Sequence, residues 1–131
     1  MVNSYLLIPT LKYLYLGGRV SIAKYLLARL LNKMAIIRTA PDGSLQPLGA
    51  VGSLQEGVEK IINIATKEGS IFPRKVSVVY AKNKDLKDLA IKHIEEYMPT
   101  NNIRVVQTRA AITAHVGPNA IAIVVDYGLK E

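Results

Sequence analysis

Few residues in this 131-residue chain carry chemistry that a fold could concentrate. His115 comes first, standing in Ile112-Thr113-Ala114-His115-Val116-Gly117-Pro118-Asn119, directly ahead of the apolar run Ala120-Ile121-Ala122-Ile123-Val124-Val125. Gly117 frees the backbone, while Pro118 fixes its own φ and removes a donor, so the chain bends sharply beside His115 before entering a buried strand. An imidazole at the rim of a sheet can donate to an anion. By residue type alone, a lone histidine beside a turn is more often a satisfied structural group than a ligand. The second feature is Gly17-Gly18-Arg19. A helix start, free N–H groups and an adjacent guanidinium make an anion site, although a Gly-Gly helix break with a surface arginine is the commoner reading of such a triplet.

Other candidates are weaker. His93 lies beside Glu95 and Glu96 on a helical stretch and reads as a solvated or half-buried surface histidine. Asp42 falls in a turn and Asp126 near a strand end; Asp126 is a candidate to orient His115, with only spacing in its favour. There is no Gly-x-Ser-x-Gly elbow, phosphate loop or dinucleotide glycine pattern. The residues point to a binding protein rather than an enzyme, with no catalytic residue and no cofactor. The chain has no cysteine and two histidines far apart, which argues against a metal site.

Half the residues are hydrophobic and the mean hydropathy is +0.19, the composition of one globular domain with a core of its own. Lack of cysteine fits a reducing cytoplasm. The net charge of +7 is uneven: residues 1–50 hold Lys12, Arg19, Lys24, Arg29, Lys33 and Arg38 against Asp42 alone. Such a face attracts anionic partners. A nucleic-acid-binding module is the alternative this suggests, weakened by the absence of Trp, the single Phe and the lack of a dense Lys/Arg run among stacking aromatics. A ligand-free interaction domain is the other. No segment reads as a signal peptide, and no run approaches the ~18 apolar residues of a membrane span.

The elements that must position these groups follow from periodicity. Tyr5–Ile8 reads as a short buried strand stopped by Pro9, with a helical turn from Thr10 and a greasy helix from a Ser21 cap to about Leu31. Met34–Thr39 and Ser44–Val51 form a hairpin about Pro41-Asp42-Gly43. Ser53-Leu54-Gln55-Glu56 is a capping box opening a helix with Leu54, Val58, Ile61, Ile62 and Ala65 inward, ending at Gly69. A strand at Lys75–Tyr80, a helix capped by Asn83 or Asp85 and running to about Met98, and a strand at Ile103–Gln107 make a βαβ unit with parallel strands. Ala110–His115 is a short helix or turn, and a strand over Ala120–Tyr127 completes the sheet. The prediction is a single two-layer α/β domain, a mixed sheet with helices packed on it.

The segment His115-Val116-Gly117-Pro118-Asn119-Ala120 resembles the Ala-His-x-Gly-Pro-Gly-Ala stretch of the DegV family, bacterial fatty-acid-binding proteins of which some serve a fatty acid kinase. Leu14-Tyr15-Leu16-Gly17-Gly18-Arg19-Val20 is similar to that family's Leu-x-x-Gly-Gly-Arg-Ile. The resemblance spans nearly all of residues 1–131 but only the family's C-terminal domain, so the family's N-terminal domain and its Ser/Thr carboxylate ligands are expected to lie outside these residues. It implies a long-chain fatty acid as ligand and a kinase-like protein as partner. His115 would bind the carboxylate, Arg19 would handle the anion or phosphoryl group, and Gly17, Gly18, Gly117 and Pro118 would shape the backbone. Asn119 departs from the family's glycine, with αL tolerance preserving the turn. Ala35 stands where the family usually has proline, implying a relaxed turn, and Val51-Gly52-Ser53 replaces a basic segment, implying a weaker anionic contact. An apolar surface left bare by a missing half predicts a homo-oligomer.

Overall fold

The computed structural model describes residues 2–10, 18, 21, 24, 34–39, 42–69, 73–98, 100–109 and 117–128. Six strands form one mixed sheet in the order β3-β2-β1-β6-β4-β5. They are β1 (Val2–Ile8), β2 (Met34–Thr39), β3 (Leu45–Val51), β4 (Lys75–Tyr80), β5 (Ile103–Gln107) and β6 (Ile121–Asp126), with helices α1 (Leu54–Glu68) and α2 (Lys84–Tyr97). The last strand is central: β6 lies antiparallel between β1 and β4. The βαβ unit is present, with β5 parallel to β4 across α2.

Local chemistry explains the boundaries. In the β2–β3 hairpin, Asp42 Oδ1 accepts from the Ser44 N–H at 2.9 Å and the Ser44 hydroxyl at 2.6 Å, and Gly43 takes φ +86°. Ser53 caps α1, its Oγ accepting from Glu56 N–H at 3.2 Å, while the Glu56 carboxylate reaches back to the Gly52 N–H at 3.1 Å. Of the two caps proposed for α2, Asn83 is the one used; its Oδ1 accepts from Leu86 N–H at 3.0 Å. Ser21, read as a cap, is itself helical, as is Lys24. The rest of the helices predicted over Thr10–Leu16 and Ser21–Leu31, apart from Thr10 and those two residues, lies outside the described residues, as does Ala110–His115. Ala35 does not relax a turn: it sits inside β2, fully buried and paired with Ile8 and Ala50.

α1 and α2 cover the same face. Tyr5 and Leu7, Ile36, Val76 and Val78, and Ile121, Ile123 and Val125 point from the sheet into one cluster with Val58, Ile61, Ile62 and Ala65 of α1 and Leu86, Ala90 and Ile94 of α2. Gly57 brings α1 onto β1. A Cβ there would come within 2.6 Å of two Leu7 methyls, so glycine's helix cost of about 1 kcal/mol is exchanged for close packing. At the far end of α1 a polar network ties helix to sheet. Tyr5 donates its hydroxyl to Glu68 Oε2 at 2.6 Å, Asn3 donates to both, and Arg38 pairs with Glu68. Burial pushes the Tyr5 phenol far above its ordinary range, and the bond to Glu68 adds to the rise.

Candidate functional site

Four strand ends lie side by side at one end of the sheet. Leu7, next to the last residue of β1, faces Ile121, the first of β6; Tyr80, the last of β4, faces the same Ile121. Gln107, the last of β5, lies beside Tyr80. The chain leaves β1 after Ile8 and enters β6 at Ile121, so the two connections depart from neighbouring strands at this rim. The carboxyl ends of parallel strands β4 and β5 open here too, the usual place for ligands on such sheets.

The turn into β6 is well defined. Gly117 is buried with φ +92°, a left-handed conformation in which a side chain is strained. Ala120 N–H closes the turn on the Gly117 carbonyl at 3.4 Å, with Pro118 and Asn119 between them. The turn is pinned to the start of α2: Lys82 N–H donates to the Pro118 carbonyl at 3.0 Å, and Asn83 Nδ2 to Asn119 Oδ1 at 3.3 Å. Asn83 thus caps α2 with its oxygen and holds the turn with its nitrogen, a second role that a capping signature does not advertise. Asn119 keeps the turn and adds a side-chain partner that glycine could not supply. Gly18 takes φ +86°, is exposed, and has open space where a Cβ would stand. His115, Arg19 and Gly17 lie outside the described residues.

Asp126 stands at the wrong end to orient anything beside Gly117. It is separated from the turn by the length of β6, on the order of 17 Å. Its carboxylate accepts from Gly128 N–H at 2.8 Å and pairs with Arg74 at 2.9 Å; these contacts, the Gly128 bond foremost, hold it below the usual carboxylate range.

The rim gathers charge of both signs. α1 leaves β3 and α2 leaves β4 at this end, so both helix N-termini, with partial positive charge, lie there; Lys82 and Lys84 are exposed beside α2, and Glu56 and Asp85 stand in the first turns of the two helices. From the rim, the face opposite α1 and α2 begins with one apolar row and then turns polar. Register aligns Leu6, Ala122, Val79 and Val106 on the first row, all half-buried, and Ser4, Val124, Ser77 and exposed Arg104 on the next. Near β2 the same face closes over fully buried Ile8, Ala35 and Ile37.

A separate groove of about 600 Å³ lies between the helices, lined by Glu59, Ile62, Asn63, Thr66, His93 and Tyr97. His93 stacks on Tyr97 with ring centroids 6.0 Å apart, as a half-buried histidine of the helix surface. Among the described residues no group of three or more His, Cys, Asp or Glu side chains could hold a metal ion, and no helix is long and apolar enough to cross a membrane.

The family model described as "Uncharacterised protein, DegV family" matches residues 1–127. The chain belongs to the DegV family. A DegV domain-containing protein of Streptococcus pyogenes serotype M3 is 25% identical over 120 residues, covering 92% of this chain and 43% of its own length. The fold superposes on a DegV family protein from Eubacterium eligens loaded with heptadecanoic acid, with TM-score 0.82 and 17% identity over 97% of this chain and 46% of that one. The Streptococcus pneumoniae Fatty Acid Kinase (Fak) B3 protein, loaded with linoleic acid, gives TM-score 0.82 and 15% identity over 97% of this chain and 45% of that one. The chain therefore spans under half the length of the DegV relatives it matches.

Proposed function

We propose that this DegV chain supplies the C-terminal half of a long-chain fatty acid site and offers the acyl carboxylate to a fatty acid kinase partner. The observation that carries the reading is the Gly117–Ala120 turn, pinned to the start of α2 beside two helix N-termini, with the half-buried apolar row Leu6, Ala122, Val79 and Val106 next to it. A fatty acid needs that pair of surroundings, an apolar lane for the chain and a few fixed polar groups for the carboxylate. Heptadecanoic and linoleic acids in two neighbours of the same fold support the ligand class, and the kinase B3 designation of one supports the partner.

In this reading His115, two residues before Gly117, donates from its imidazole to the carboxylate, a charge-assisted hydrogen bond when the ring is protonated. Arg19 handles the anion or the incoming phosphoryl group, and Gly17, Gly18, Gly117 and Pro118 set the backbone around them. No side chain of this half needs to break a bond, so its role is that of a non-catalytic subunit. The remaining carboxylate ligands would come from an N-terminal domain of the family's kind. Native mass spectrometry with lipid extraction, applied to this chain joined to such a domain, tests the assignment. The expected result is a bound acid of about 17–18 carbons, the length of the heptadecanoic and linoleic acids in the neighbours, with loss of most of it in His115→Ala. Equal loading of wild type and variant would remove His115 from the site.

A further inference from the structure

The two edges of the sheet are built differently. β3, at one edge, carries Pro47 and a bulge at Leu48, left unpaired between Ile36–Gly49 and Ile37–Pro47, both devices that discourage pairing with another chain. β5, at the other, has the sequence Ile-Arg-Val-Val-Gln, with no proline, no bulge and Val105 43% exposed. Its hydrogen-bonding pattern is fixed by its ends: Val76 N–H donates to the Asn102 carbonyl at 3.0 Å and Thr108 N–H to the Tyr80 carbonyl at 2.7 Å. In a parallel ladder both backbone groups of a residue turn to the same neighbour, so Arg104 and Val106 serve β4. Ile103, Val105 and Gln107 turn their N–H and C=O groups outward.

We propose that this outer edge of β5 joins a second copy of the chain, antiparallel, about a two-fold axis through Val105. The register is specified by the strand itself. With the axis at Val105, Val105 faces its own copy and Ile103 faces Gln107, so every outward N–H finds an outward carbonyl along all of β5. On the face opposite the helices, Arg104 falls opposite the partner's Val106, and no like charges meet. Moving the axis to Arg104 sets arginine against arginine and shortens the overlap; moving it to Val106 leaves Ile103 outside the paired strand. A half-step sets outward groups against inward ones and loses the ladder. The pairing is isologous and closes on itself, as two-fold contacts do. It is independent of the fatty acid reading.

The chain contains no cysteine, so a single introduced thiol reports the contact directly. A hydrogen-bonded antiparallel pair brings opposite Cα atoms to about 5.5 Å, inside the disulfide range. Val105→Cys should form a covalent dimer under mild oxidation, Arg104→Cys alone should not, and Arg104→Cys mixed with Val106→Cys should yield the crosslinked heterodimer. Sedimentation of the unmodified chain should show a dimer that Val105→Lys weakens severalfold without changing its circular dichroism. A monomer mass at the highest concentration reached would overturn the proposal. So would crosslinking of Arg104→Cys as fast as Val105→Cys, which would point to a different face.

Discussion

The two faces of the sheet share strands but not tasks. Along β6, Ile121, Ile123 and Val125 are buried against α1 and α2, while Ala122, Val124 and Asp126 between them remain half-buried on the other side. One face is a closed core tied at its end by the Tyr5, Glu68 and Arg38 network. Among the described residues the other is fully buried only near β2; toward β4 and β5 it carries one half-buried apolar row, Leu6, Ala122, Val79 and Val106, and then a polar one. Among the described residues, the larger buried cluster lies on the first face.

Neighbouring substitutions on one strand break or sharpen this contrast. Ile123→Ala should cost about 2–5 kcal/mol in urea unfolding, because a fully buried side chain leaves a cavity, whereas Val124→Ala should cost under about 1 kcal/mol. Equal losses would mean that the faces are energetically alike. Gly57→Ala tests the closeness of helix to sheet. Added helix propensity alone would stabilise, but the clash with fully buried Leu7 should turn the change into a loss of about 1–3 kcal/mol. A gain would show that Leu7 yields.

A smaller effect than at Ile123 or Gly57 falls on the network at the end of the core. Tyr5→Phe removes one hydrogen bond while Arg38 and Asn3 still hold Glu68, a cost of about 1 kcal/mol near neutrality. The phenol is raised in the folded state, so its contribution is whole below the ordinary tyrosine range near about pH 10. As pH rises above that, the unfolded chain releases the proton before the folded chain does, and stability falls. In Tyr5→Phe that alkaline decline should be shallower; an unchanged slope would assign it to other groups.

Much of the architecture was legible in residue order. The capping box at Ser53, the Asp-Gly turn, the alternation in Lys75–Tyr80 and the strand-helix-strand spacing each encode a local preference that the fold kept. The Gly-Pro bend before β6 was legible too, since Gly117 needs its positive φ. Asp126 was misjudged as a companion of that bend because proximity in sequence along a strand becomes separation in space. At Ala35 the strand pattern of Met34–Thr39 held, and the relaxed turn implied by the family's proline did not, because Ala35 pairs with Ile8 and Ala50 inside β2. Asn83 showed only half its role, the other half depending on Asn119, 36 residues away.

By itself the sequence determined the elements, their caps and their apolar faces, because those depend on contacts within a few residues and on side-chain period. Tertiary structure alone decided that β6 lies between β1 and β4, that α1 and α2 share one face, and that the segments after β1 and before β6 leave from one rim. Strand order is a matter of long-range pairing, in which several arrangements bury similar apolar area. Only the packed sheet selects among them.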